Sequence, residues 1–229
     1  MAIKYTFIGH GTHLLDINGV KVLIDPFFDD NPTTDVAADS VEADYILVSH
    51  GHGDHIADAV SIARRSGAKL ISNFEIYNWF GEQGIPEEQR HPQHIGGSFE
   101  HPFGKVKLTI AHHGSGLPDG SYGGSPAGFL ITADGKKLYF ACDTALFYDM
   151  KLYGKEKLDL AVLPIGDNFT MGPDDALKAV KFLKPKQVVP CHYNTWPPIE
   201  QDAEAWKKRV EKKTKAKVSA LAAGESLTL

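Results

Sequence analysis

Cysteine is almost absent. The sequence holds two, Cys142 and Cys191, too few for the disulfide framework of a small secreted scaffold. A reducing cytoplasm is therefore the expected compartment. Long apolar runs are missing too. Nothing approaches the ~18 residues that a membrane span requires, and residues 1–9 read as a short strand rather than a signal peptide. Nor is there an excess of positive charge. The formal net charge of −5 argues against a nucleic-acid-binding surface, which usually announces itself as a basic patch. Neither membrane nor nucleic acid is expected as a partner. Histidine goes the other way: eleven occur, more than packing alone usually needs.

At 229 residues the chain is long enough to bury a full core, and it is expected to form one domain over 1–229. Lys4–Ile8, about His13–Ile17 and Lys21–Asp25 have the β-branched and aromatic character of strands. Asn18-Gly19 is a two-residue hairpin signal between the second and third. Residues 27–43 read as a loop, Tyr45–Val48 as a buried strand, and Ile56–Ser66 as a helix closed at Gly67. A strand over Lys69–Ser72 and a helix over Phe74–Gly81 follow. Residues 96–111 and 127–141 suggest antiparallel strands turning at Pro102-Phe103-Gly104 and Ala133-Asp134-Gly135. Then come a strand over Leu158–Leu163, a helix over Pro173–Leu183, a strand over Gln187–Cys191 and a lysine-rich helix over Ile199–Lys213. Frequent hairpin signals favour a layered α/β sandwich over a doubly wound parallel sheet.

Directly after the strand at Tyr45 stands Ser49-His50-Gly51-His52-Gly53-Asp54-His55, three imidazoles and a carboxylate within six residues. These are ligand types that borderline divalent metals accept, and the glycines suit a tight loop that aims several side chains at one point. One short loop rarely completes a site. Further candidates follow other predicted strands: His112-His113 after residue 110, Asp143 after residue 141, and His192 after Cys191. The pattern resembles loops gathered at one edge of a sheet.

His50-x-His52-x-Asp54-His55, then His113, Asp143 and His192, with Asp25 at an early strand end, resembles the metallo-β-lactamase superfamily over nearly the whole chain. Within it the chain is similar to UlaG-like proteins of the UPF0173 metal-dependent hydrolase group. The residues carrying this are Gly9-His10-Gly11, Leu23–Pro26, Pro126–Phe129, Leu163–Pro173 and Pro190–Thr195. The resemblance implies a four-layer αββα sandwich with a two-metal site at the sheet edge. It also implies that His50, His52 and His113 hold one ion, that Asp54, His55 and His192 hold a second, and that Asp143 bridges them. The ions would be zinc or manganese. Asp54 would further orient a nucleophilic water. Adjacent strand residues point to opposite faces, so one of His112 and His113 should enter the cleft, and the family pattern selects His113. Cys142 stands where that pattern has glycine.

Asp25 is expected behind the ligands, accepting hydrogen bonds from the His50 loop or a ligand imidazole. His10, in its Gly-His-Gly loop, is a candidate catalytic residue that contacts substrate or an oxyanion, with a structural role as the alternative. Asn168 and Thr170 are candidate substrate-binding residues, with turn formation as the alternative. Cys142 and Cys191 read as small buried fillers pointing away from the metals, with a redox link open if their strands adjoin. His91, His94 and His101 read as surface residues, and Trp79, Phe80, Trp196 and Trp206 as core or interface. The expected function is metal-dependent hydrolysis of an ester-type bond in a small molecule, either a phosphodiester or phosphate ester or a lactone. A noncatalytic metal-binding or sensing protein is the alternative, and a β-lactamase ranks below both. The sequence leaves homo-oligomerisation open.

Overall fold

The computed structural model describes residues 3–229. Met1 and Ala2, which the reading of residues 1–9 includes, lie outside the described residues. With strands numbered in chain order, the first sheet runs β14 (Ser226–Thr228), β1 (Ile3–Gly9), β2 (Thr12–Ile17), β3 (Val20–Ile24), β4 (Tyr45–Leu47), β5 (Lys69–Ser72) and β6 (Arg90–Pro92). The second runs β13 (Lys217–Val218), β12 (Gln187–Cys191), β11 (Leu160–Pro164), β10 (Lys136–Phe140), β9 (Ala127–Ala133), β8 (Gly104–Ile110) and β7 (Ser98–His101). Each sheet is mixed. β14–β1–β2–β3 and β7–β8–β9–β10 pair antiparallel, and the strands beyond β3 and β10 add in parallel.

Period-2 alternation builds the layers. Ile3, Tyr5 and Phe7 of β1 face the second sheet, as do Leu138 and Phe140 of β10, Leu160 and Val162 of β11, and Val189 and Cys191 of β12. Their neighbours Tyr139, Ala161, Leu163 and Val188 face outward beneath α4 (Met150–Gly154), α5 (Pro173–Leu183) and α6 (Ala203–Lys213). On the outside of the first sheet, Leu23, Ile46 and Leu70 pack beneath α1 (Gly53–Ile56), α2 (Ala59–Ser66) and α3 (Phe74–Glu82). Three apolar layers between helices, sheet, sheet and helices make this a four-layer αββα sandwich. Each fully buried large side chain contributes about 1.5–3 kcal/mol. Among the described residues, no helix is long and apolar enough to cross a membrane.

The hairpin at Asn18-Gly19 forms with both residues at positive φ, 55° and 90°, as a type I′ turn requires. The helix expected over Ile56–Ser66 is broken instead, into α1 and α2. At the break, the Asp58 carboxylate accepts from Phe28 N at 2.7 Å, tying this point to the loop after β3. α6 starts at Ala203, later than expected, because Asp202 caps it by accepting from Ala205 N at 2.8 Å. His101 is buried rather than on the surface, with its ring stacked on Phe103 and Nε2 3.3 Å from Gln93 Oε1. β11 separates the strands that precede Cys142 and carry Cys191, about two strand spacings or roughly 10 Å. The condition for a redox link is therefore not met, and both thiols are free.

Candidate metal centre

The candidate residues collect where strands of both sheets end on one edge. His10 follows β1, Asp25 follows β3, Cys142 follows β10 and His192 follows β12. All four adopt left-handed backbone, with φ of 53°, 48°, 51° and 52°. A left-handed residue ends the pleat abruptly and redirects the side chain from the alternation of its strand. It costs a non-glycine residue roughly 1–2 kcal/mol, and such strain gathers at functional sites. Two backbone hydrogen bonds join the sheets here: His192 N to His10 O at 2.8 Å and Ala127 N to Ser49 O at 3.0 Å.

The side chains form two groups. His50, His52 and His113 offer donor atoms within 4.8 Å of one another, and so do His10, Asp54, His55 and His192. Asp143 lies between them. Its Oδ2 is 3.5 Å from His113 Nε2, 3.4 Å from His55 Nε2 and 3.0 Å from His192 Nε2. Even so, His55 Nε2 and both ring nitrogens of His192 are buried without an aligned hydrogen-bond partner. Buried polar atoms left unpartnered are costly. Imidazoles and carboxylates crowd one shared space, His50 Nε2 meeting His52 Nδ1 at 3.0 Å while the His55 and His192 nitrogens stay unpartnered. Cations would satisfy that arrangement, so the donor set fits a metal. His113 enters the cluster, whereas His112 is exposed, its ring edge-on to Phe147 at 5.2 Å.

A layer of hydrogen bonds behind the donors fixes which nitrogen faces inward. Asp25 accepts from Ser49 N at 2.7 Å, Ser49 Oγ at 2.6 Å and His55 Nδ1 at 3.0 Å. The single Ser49 hydroxyl proton goes to that carboxylate, so Ser49 Oγ accepts from His50 Nδ1 at 2.8 Å. His50 and His55 are thereby both protonated on Nδ1, leaving Nε2 as the donor position. His10 Nε2 donates to Asp54 Oδ2 at 2.9 Å, while its Nδ1 accepts from Thr195 Oγ1 at 2.7 Å. Both His10 nitrogens are thus committed to protein partners. Gly11 makes room for this packing, since a Cβ there would stand 2.7 Å from His55 Cε1.

Titration follows the same geometry. Burial pushes the His10 imidazole down to about 4, His192 adding to the effect. Burial also holds His50 and His113 below the usual histidine range. For His55 burial acts the same way, but Asp143 and Asp54 outweigh it and hold the imidazole well above its ordinary value. His192 likewise rises to about 9 because Asp143 overcomes burial. Burial acts to raise Asp54 and Asp143, yet the surrounding imidazoles keep both carboxyls low, led by His55 for Asp54 and by His192 for Asp143. Protons on His55 and His192 thus supply the positive charge the carboxylates require, and a bound cation would supply it in their place.

His52, Asp54, His113, Asp143 and His192 line a cleft of about 710 Å³, together with Phe27, Asp30, Phe169, Trp196 and Pro198. Three expectations need correction. His10 does not reach the cleft: it is buried beneath Phe27 and Trp196, and it touches Asp54. Neither Asn168 nor Thr170 lines the cleft; the residue between them does. Asp167 and Asn168 are both left-handed (φ 64° and 48°), and this turn brings Phe169 to the cleft wall. Trp196 walls the cleft instead of joining the core. Ser49 and Thr195 are positioning residues that sequence reasoning missed. Ser49 directly precedes His50 and Thr195 stands three residues after His192, which was the available signal, but only the fold reveals their partners.

An αββα sandwich with imidazole and carboxylate donors on one edge defines the β-lactamase superfamily class. The family model described as a β-lactamase superfamily domain matches residues 20–193. A UPF0173 metal-dependent hydrolase from Pelotomaculum thermopropionicum is 51% identical over 99% of this chain and 100% of its own. One from Heliobacterium modesticaldum is 50% identical over 99% and 98%. The structure of Igni18, a metallo hydrolase from the archaeon Ignicoccus hospitalis, superposes with a TM-score of 0.90 at 37% identity, covering 100% of this chain and 99% of that one. The chain belongs to the UPF0173 family of metal-dependent hydrolases.

Proposed function

We propose that the chain uses two divalent cations to hydrolyse an ester-type bond, in a lactone or in a phosphodiester or phosphate ester. His50, His52 and His113 hold one ion, Asp54, His55 and His192 hold the other, and Asp143 is shared. Zinc and manganese both suit a histidine-rich set with two carboxylates. When bound, such ions polarise the scissile bond and bring the pKa of water toward ~7. The observation that carries the reading is Asp143 Oδ2 within 3.5 Å of imidazoles from both groups. Membership in a family described as metal-dependent hydrolases supports it.

Asp54 has the part closest to substrate. Its side chain is 24% exposed toward the cleft, against 4% for Asp143, so it is the carboxylate able to orient an attacking water. His10 serves it from behind, with Nε2–H donating to Asp54 and Thr195 fixing the ring. Asp25 plays the corresponding part for His55 and, through Ser49, for His50.

The test is metal analysis on protein purified without added metal, followed by assays on bis-p-nitrophenyl phosphate and a lactone panel with manganese or zinc. Two equivalents per chain are expected, with turnover nearly abolished in His52→Ala and Asp143→Ala. One equivalent would remove the shared role of Asp143. No metal-dependent turnover on any ester would overturn the hydrolase reading.

A further inference from the structure

Outside the donor set, the cleft wall is apolar and carries no positive charge. Phe27, Phe169, Trp196 and Pro198 form it, Asp30 is the only charged side chain added to them, and no lysine or arginine among the described residues lines it. The aromatic wall is fixed in place. Trp196 is braced edge-on against buried His10 with ring centroids 4.9 Å apart, and the Phe27 ring lies 6.3 Å from it. Phe169 stands opposite in kind. It is 53% exposed, yet held at the cleft by the left-handed turn of Asp167 and Asn168. A large aromatic kept open to solvent at the mouth of a polar centre is surface reserved for an apolar contact.

We infer that the cleft selects carboxylic esters or lactones whose group flanking the scissile bond is apolar and uncharged, and discriminates against substrates carrying a further carboxylate or phosphate. This rests on the hydrolase reading above. Hydrolysis adds the oxygen of water to the acyl carbon and breaks the bond to the alkoxy oxygen. One proton leaves with the alcohol and the other is lost as the new acid ionises. The product thus brings one negative charge to the donor set. A second would sit among Phe27, Phe169 and Trp196 with no cation beside it and Asp30 repelling it. A desolvated, unpaired carboxylate is strongly disfavoured there, whereas an alkyl or aryl group gains burial.

The test compares two chains of equal length that differ in one terminal carboxylate. On the metal-loaded protein, kcat/KM for p-nitrophenyl hexanoate is expected to exceed that for mono-p-nitrophenyl adipate at least about tenfold. Titration calorimetry then reads the wall without catalysis. Hexanohydroxamate should bind at least about tenfold more tightly than the monohydroxamate of adipic acid, Phe169→Ala should weaken hexanohydroxamate several-fold, and Asp30→Lys should narrow the ratio between the two. Equal affinities, tighter binding of the carboxylate tail, or no binding of either hydroxamate would overturn the inference. Loss of tail preference with ester turnover intact removes this inference alone. Absence of all turnover removes the hydrolase reading, and the calorimetric ratio still decides what the wall prefers.

Discussion

Gly11 illustrates how single positions set the geometry of this edge. The His55 ring is held from behind by Asp25 at 3.0 Å, and its inward nitrogen has no aligned partner. A methyl group at residue 11 would meet the ring 2.7 Å from Cε1, and a ring locked by a buried carboxylate cannot swing aside cheaply. Gly11→Ala is therefore expected to displace His55 and weaken metal binding by roughly 10–100-fold, the range typical of disturbed supporting contacts. The far-ultraviolet circular dichroism spectrum should not change. Competition with a chromophoric chelator checks this, and unchanged affinity would show that His55 is not seated as a ligand. Cys142 carries the opposite lesson. It adopts φ 51°, a left-handed backbone that favours glycine, and its side chain packs partly against the core between the sheets, so burial offsets the backbone strain.

At the scale of elements, the sequence announces strands and helices wherever packing follows a local period, and hides them where a distant partner decides. Asn18-Gly19, Pro173–Leu183 and Gln187–Cys191 form as their patterns predict. β6, β13 and β14 are two or three residues long and have no period of their own; each exists because a neighbouring strand offers its edge. His101, at the end of β7, shows the same limit. Its neighbours give no sign of burial, yet the fold sets it against Tyr45 of β4, His91 of β6 and Phe103. Burial pushes its imidazole from 6.5 down to about 4, with His91 and Lys69 adding to the effect. Between those values the unfolded chain binds the proton and the folded chain does not, so stability falls as pH falls. The contribution is complete above pH 6.5 and gone below about pH 4. It is on the order of 1–2 kcal/mol for a group at a sheet edge. Urea unfolding of wild type and His101→Gln at pH 7 and 4.5 checks it. The stability gap between the two should shrink at the lower pH, and a constant gap would refute the assignment.

For the whole molecule, the two sheets supply the two halves of the donor set. His50, His52, Asp54 and His55 follow β4 in the first sheet, while His113, Asp143 and His192 follow β8, β10 and β12 in the second. The donors were legible in the sequence because each sits just beyond an apolar run. The cleft wall was not, since Phe27, Phe169 and Trp196 come from three loops that only the folded edge brings together. Joining donors from two sheets has a consequence for stability. A cation bound by both halves favours the folded chain over the unfolded one by about 4 kcal/mol when free metal is a thousandfold above its dissociation constant. At about 2–4 °C per kcal/mol for a chain of this size, the midpoint rises by roughly 8–16 °C. Scanning calorimetry with excess manganese or zinc, and again after chelation, should show that difference in wild type. In Asp143→Ala the rise should be much smaller, because that carboxylate faces imidazoles of both groups. An identical midpoint with and without metal in wild type would mean that the edge is held by its own hydrogen bonds and that no ion clamps the sheets.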